Sequence, residues 1–371
     1  MGDNVLGVFG SLKKVLKLDQ VAIDNNVFRL HYKVTVLTML ACSLLVTSKQ
    51  FFGDPIDCIS KDDVPNQVLD TFCWIHATFT LPKAFKSKVG KEVVAPGVDK
   101  HLPGDQKIYH KYYQWVCLVL FLQAMSFYVP RYLWKMWEGG RMRNLVLNLH
   151  IPILEDEQKK SSVKVLATYL RQHIRLHNVY FYRFVFCEVL NFLNVIIQLY
   201  VMDLFFGGAF STFGLEVLKF SETETEWRTD PMVLVFPRMT KCTFHRFSSD
   251  GSVMKYDALC ILPLNIINEK IYIFLWFWLL IVALLTGVTI VYRIAMIFLP
   301  NIRYMVLRSR ARLTDRYHLQ IVTDVSKIGD WFVFYLLAKN MDPLNYRELM
   351  QELAKEVTEE GKSFIEREKE P

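Results

Sequence analysis

Four cysteines and one polar stripe are the residues here whose types and spacing could do chemistry. Cys58 and Cys73, then Cys242 and Cys260, lie outside apolar runs, while Cys42, Cys117 and Cys187 lie within them. Such cysteines form disulfides where the compartment is oxidising. Four allow three pairings, and their spacing does not choose among them. The stripe lies in the apolar segment 180–206. At 100° per residue, Arg183, Cys187, Asn191, Asn194 and Gln198 share one helical face, with Glu188 beside it. Polar groups in such a segment bond to neighbouring helices or border water. His173 and His177 stand one helical turn apart, but no acidic or cysteine partner is close in sequence, so no metal is expected. The chain has no HExxH, CxxC, GxSxG or Gly-rich phosphate loop. No catalytic set and no cofactor follow from these residues.

The elements that must position them are set by hydropathy. Hydrophobic residues make up 52% of the chain and aromatics 14%, above a soluble norm, and they are bunched. Val34–Ser48, Tyr112–Val129, Tyr180–Phe206 and Ile271–Tyr292 are apolar runs. Roughly 20 apolar residues cross the hydrocarbon core of a bilayer. Four spans are therefore predicted, at 31–52, 109–138, 180–206 and 270–299. Pro130 lies inside the second, which is expected to continue, kinked, to Gly139–Gly140. The first run begins at Val34 with no cleavage pattern before Lys49, so no signal peptide is expected. Leu6 stands where a myristoylation motif has Ser or Thr.

Charge orients the spans. Segments 1–33, 131–179 and 300–316 carry excess Lys and Arg, whereas 49–108 and 207–270 are balanced. The positive-inside rule puts both termini and the middle loop in the cytosol. The net charge of +7 is then topology, and no nucleic-acid partner is needed. Every cysteine outside a span falls in a loop that charge had placed outside.

The expected fold is an all-α integral membrane protein. A four-helix transmembrane bundle carries disulfide-stapled, mixed α/β extracellular loops at 53–108 and 207–269, the second with β-prone runs such as Met232–Phe236. Segments 139–179 and 300–371 form a helical cytoplasmic layer. In segment 1–30, Val5, Val8, Phe9, Leu12, Val15 and Leu16 recur at helical spacing, which by itself favours a helix on the membrane surface. In the first span, Thr35, Thr38 and Cys42 share a mildly polar face.

Several blocks together resemble the innexins, the invertebrate gap-junction proteins. They are DNNVFRLHYK (24–33), GDPIDCI (53–59), KYYQWVCLVLFLQAMSFYVPRYLWKMWEGGRM (111–142), KCTFH (241–245), CILPLNIINEKIYIFLWFW (260–278) and IGDWFVFYLLAKN (328–340). Two cysteines per outer loop match innexins, where connexins carry three. The resemblance implies pairing of Cys58 with Cys260 and of Cys73 with Cys242. It implies rings of like subunits or of mixed innexins, eightfold, each docking to an apposed hemichannel at plasma-membrane gap junctions. It also implies an amino-terminal helix folded into the pore, against the reading from periodicity. Asp3, Asn4, Asp19 and Asp24 are then pore-lining candidates, beside Thr35 and Thr38, whose polar face on the first span suits a pore-side position. Rival readings are an unpaired hemichannel that releases small molecules, and a four-span adhesion or scaffold protein without a pore.

Overall fold

The computed structural model describes residues 21–59, 64–102, 104–146, 149–151, 156–222 and 230–367. The chain divides into two compact units. One gathers the described parts of Met1–Lys33, Tyr128–Leu193 and Leu284–Pro371, and the other those of Val34–Phe127 and Asn194–Ala283. They are called here the ionic unit and the sheet unit.

In chain order, helix α1 spans Asn26–Phe52 and strand β1 Asp57–Ile59. Helix α2 (Asn66–His76), β2 (Thr78–Thr80) and β3 (Ile108–His110) follow. Next come α3 (Val116–Glu138), α4 (Arg141–Val146), α5 (Asp156–Gln172) and α6 (Asn178–Phe205). Then α7 (Phe210–Glu222), α8 (Pro231–Val235), β4 (Met239–Phe247) and β5 (Val253–Ile261) lead to α9 (Pro263–Phe298). The remainder is helical: α10 (Pro300–Arg310), α11 (Arg316–Val325), α12 (Ile328–Asn340) and α13 (Pro343–Arg367).

Among the described residues, α1, α3, α6 and α9 are long and apolar enough to cross a membrane. They have 27, 23, 28 and 36 residues, with mean hydropathy from 1.5 to 2.5 in their most apolar windows. At 1.5 Å per residue even α3 is about 34 Å long, more than a hydrocarbon core of about 30 Å. Two irregularities mark these helices. Within α1, residues Leu30–Thr35 form a π-helical turn, an insertion that shifts which side chains face a neighbour. Helix α3 runs through Pro130 to Glu138, and Gly139 (φ +59°) and Gly140 (φ +79°) then turn the chain. The Glu138 carboxylate accepts from the backbone N–H groups of Gly140 and Met142 at 2.8 and 2.6 Å, starting α4.

In the sheet unit, five strands form one antiparallel sheet in the order β1-β5-β4-β2-β3, drawn from both cysteine-bearing loops. Leu69, Tyr113, Ala258, Leu262 and all four loop cysteines form the core beneath it. The run Met232–Phe236, expected to be β-prone, is mostly helical. Asp230 accepts from the Met232 N–H at 2.9 Å as an N-cap, and Pro231 occupies the first helical position. Local capping chemistry there overrides the β-propensity of Val233 and Val235.

In the ionic unit, Trp134, Phe181, Phe184, Trp331, Phe332 and Leu337 belong to one hydrophobic core rich in aromatic rings. Helix α13 lies against α5 through Lys159–Glu348 (2.8 Å) and Arg171–Glu356 (3.2 Å). Helix α12 begins against the turn before α6. A Cβ on Gly329 would collide with the His177 and Asn178 backbone, so only glycine fits there.

Candidate functional site

Two constellations hold the chain together, one in each unit. In the sheet unit, Cys58 faces Cys260 across the β1–β5 register, and the two form a disulfide with Cα atoms 4.0 Å apart. Cys73 of α2 is bonded to Cys242 of β4, at a Cα separation of 5.9 Å. Each bond joins the loop at 53–108 to the loop at 207–269. Register and covalent chemistry agree: the β1–β5 pairing places Cys58 and Cys260 directly opposite each other, within the range a disulfide can bridge. Sulfurs of Cys58, Cys73 and Cys260 cluster closely enough to suggest a metal, but all three are already in disulfides and offer no thiolate.

Polar contacts lock the same region. Asp70 accepts from the Cys58 N–H at 2.7 Å, and burial pushes its carboxyl up from the usual range. The Tyr113 hydroxyl reaches the Cys73 carbonyl at 3.4 Å, and burial raises it to about 12. Gln114 donates its side-chain amide to the Trp74 carbonyl. His110 sits 2.8 Å from the Thr80 hydroxyl, and burial lowers its imidazole to about 4, so it stays neutral. By contrast, the tip of the β4–β5 hairpin is open: Phe247 is 74% exposed and Val253 63%.

In the ionic unit a set of buried charges ties the start of α1 to four other helices. Asp24 is 3% exposed. Its carboxylate accepts from Arg29 at 2.7 Å, from Arg131 of α3 at 3.0 Å and from the Tyr32 hydroxyl at 2.8 Å. Lys339 of α12 donates to the Asp24 carbonyl at 2.7 Å, and desolvation lowers that amine below its usual range. Next in sequence, Asn25 caps α1 by accepting from Phe28 N and donates to Glu188 of α6 at 2.5 Å. Glu188 in turn takes two hydrogen bonds from Arg293 of α9, at 2.8 and 3.1 Å. Every acceptor has a cationic or amide partner, which is the condition under which buried charge is tolerated. A second hub is Asp330, 1% exposed, which accepts from the backbone N–H groups of Arg175 and Lys327 and contacts His177 Nδ1 at 2.8 Å.

These placements correct or relocate several sequence candidates. Asp3, Asn4 and Asp19, with the rest of the amphipathic segment up to residue 20, lie outside the described residues. Asp24 faces inward, because Arg29 and Arg131 draw its carboxylate into the subunit. Thr35 is fully buried as well, accepting from the Trp278 indole N–H at 2.9 Å; Thr38 is half-buried. The α6 stripe splits. Arg183 is exposed and lies over the Trp137 ring at 5.7 Å, while Cys187 is buried. Asn194 and Gln198 meet Ser126 of α3, as interhelical hydrogen bonding requires. Asn191 is 1% exposed, and its amide has no hydrogen-bond partner among the described residues. His177 does have an acidic partner, 153 residues away, and His173 contacts the Tyr169 carbonyl at 2.8 Å.

Arg131, Arg293 and Lys339 are the functional residues that sequence reasoning missed. Arginines at the ends of apolar runs read as orientation signals, and nothing local pairs them. The one usable signal was Glu188, since a carboxylate inside a span demands a cation at similar depth.

Four helices of spanning length and two loops cross-linked by paired disulfides define a four-span membrane protein with stapled loops. Comparison with known proteins makes the class specific. The innexin family model matches residues 24–357. The chain is 53% identical over 352 residues to innexin inx2 of Drosophila melanogaster, covering 95% of this chain and 96% of that protein. It is 54% identical over 359 residues to innexin inx2 of Schistocerca americana, covering 96% and 99%. To innexin shaking-B of Drosophila melanogaster it is 48% identical over 352 residues, with 94% of each covered. The chain belongs to the innexin family of gap-junction channel proteins.

Proposed function

We propose that this chain is the subunit of a wide intercellular channel, passing ions and small metabolites between adjacent cells. Identical or mixed innexin subunits would close into an eightfold ring around an aqueous pore. Two such hemichannels would dock end to end through the disulfide-bearing loops. Selectivity would come from pore width and rings of charge, with Asp3, Asn4 and Asp19 at the amino-terminal constriction.

The observation that carries this reading is the cross-linking of the two loops. A disulfide can join only segments on one face of a membrane. With α1, α3, α6 and α9 as spans, Cys58–Cys260 and Cys73–Cys242 bring both loops to the same side. Both termini and segment 139–179 then share the other, which agrees with the Lys and Arg distribution. The oxidising side is the extracellular one, so the stapled sheet faces a neighbouring cell. The exposed Phe247 and Val253 at the hairpin tip supply apolar area for contact there.

The test is electrical recording from paired cells with this chain in both. Junctional current above that of untransfected pairs is the expected result. Dye uptake by isolated cells without junctional current would identify a hemichannel instead. Surface expression with neither would sink the channel reading.

A further inference from the structure

A cavity of about 400 Å³ lies among α10, α11 and the start of α12, lined in part by Pro300, Arg303, Tyr304, Gln320, Asp324 and Trp331. Small-ligand sites have volumes of about 300–1,000 Å³. The channel reading leaves this cavity without a role.

Three observations give it a chemistry. Arg303 is half-buried, and its Nε is shut off from solvent with no hydrogen-bond partner among the described residues. Burial alone moves its guanidinium, downward, so Asp324, which is exposed, does not compensate it. An anion in the cavity would. Second, the apolar helix α9 ends at Phe298, two residues before Pro300. Phe298, Leu299 and Met305 are 75%, 50% and 64% exposed. A cationic cavity beside bare apolar side chains at the end of a span suits a lipid, with its acyl chains on the apolar residues and its headgroup inside. Third, the start of α10 has no side-chain cap, and Pro300 and Asn301 from its first turn line the cavity. Its positive dipole end favours phosphate. The surrounding segment 300–316 adds Arg308, Arg310, Arg312 and Arg316 against Asp315 alone.

We propose that this cavity binds the phosphorylated headgroup of an anionic lipid, with Arg303 as its principal cation. The inference rests on the topology proposed above for placing the cavity at the cytosolic leaflet. Binding by purified protein needs no junction, so failure of this site and failure of the channel reading are separate results.

The test titrates the full-length, detergent-solubilised oligomer with phosphatidylcholine mixed micelles that do or do not contain a phosphatidylinositol bisphosphate. Wild type binds only the bisphosphate micelles. Arg303→Gln weakens binding by at least about tenfold, the effect of losing a charge-assisted hydrogen bond. Arg312→Gln, exposed and outside the cavity, weakens it by no more than about fivefold, the effect of one basic residue near an anionic surface. Equal effects of the two variants, or none from Arg303→Gln, would overturn the site. Equal affinity for soluble inositol trisphosphate would make the ligand a free phosphate and overturn the lipid assignment. Should Arg303→Gln fail to assemble, Gln320→Glu places a carboxylate in the cavity at an exposed position. It must cause a similar loss, and unchanged binding would refute the proposal.

Discussion

Cys58–Cys260 and Glu188–Arg293 both fasten segments that are distant in sequence, 202 and 105 residues apart. They differ in what breaks them. The disulfides act chiefly by restricting the unfolded chain, so they tolerate approximate surroundings. The buried charges act only while every partner is present, because each ion left alone keeps its full desolvation cost. The sheet unit is therefore robust to a lost side chain but sensitive to reductant. The ionic unit should show the reverse. Its four long-range partners also make it the place where a shift of one helix is felt by the others.

The sharpest test removes one partner. Glu188→Gln leaves Arg293, whose side chain is 5% exposed, without its counter-ion. The expected destabilisation is about 3–5 kcal/mol, read as loss of thermal stability of the solubilised oligomer. Replacing both Glu188 and Arg293 by Met should recover most of that loss, since paired apolar side chains pack without the desolvation cost. If the double variant is as unstable as the single one, the pair does more than satisfy itself. Asn25, which also donates to Glu188, would then be the next residue to examine.

For the sheet unit, Cys73→Ser with Cys242→Ser should cost about 2–5 kcal/mol and abolish junctional current while leaving the buried charges intact. External reductant applied to wild type should act in the same direction. Normal coupling by the double variant would show that Cys58–Cys260 and β-pairing suffice to order both loops, and the contrast between the two units would fail.

The two regions also differed in how legible they were. Cysteine position relative to apolar runs, together with Lys and Arg bias, was enough to gather Cys58, Cys73, Cys242 and Cys260 on one side. Their partners came only from resemblance, because spacing carries no pairing information. The four spans were legible because length and hydropathy are local properties. The strand order β1-β5-β4-β2-β3 was not, since it depends on pairings between loops far apart in the chain. The burial of Asp24 was not legible either, because only one of the two cations on its carboxylate, Arg29, is close in sequence. Arg131 and Lys339, which close it off, are 107 and 315 residues away. The run at 232–236 failed differently. There the deciding signal is local: the cap at Asp230 and Pro231 outweighs the β-propensity of Val233 and Val235.

Acid should separate the units by a smaller margin. His110 titrates near 6.5 when unfolded and at about 4 in the buried site beside Thr80. The unfolded chain therefore takes up a proton that the folded one refuses. Stability from this group is complete above pH 6.5 and declines as pH falls toward 4, by about 2 kcal/mol at pH 5. Unfolding temperatures across that range should flatten in His110→Gln, which stays neutral and can still bond to Thr80. An unchanged slope would assign the acid sensitivity to other groups.

The smallest effect discriminates best between two readings of one residue. Thr35 belongs to the mildly polar face of the first span, and that face makes it a pore-lining candidate. The fold instead closes it against Trp278. Thr35→Val keeps the shape and removes the oxygen that accepts the indole N–H. If Thr35 is a strut, the cost is about 1 kcal/mol of stability, with single-channel conductance unchanged. Should conductance or cation preference shift at unchanged stability, Thr35 must meet water in the assembled ring. Helix α1 would then have to turn about its axis in the ring, and the π-helical stretch Leu30–Thr35, where the hydrogen-bond register already departs from the α-helical one, is the place to look for that change.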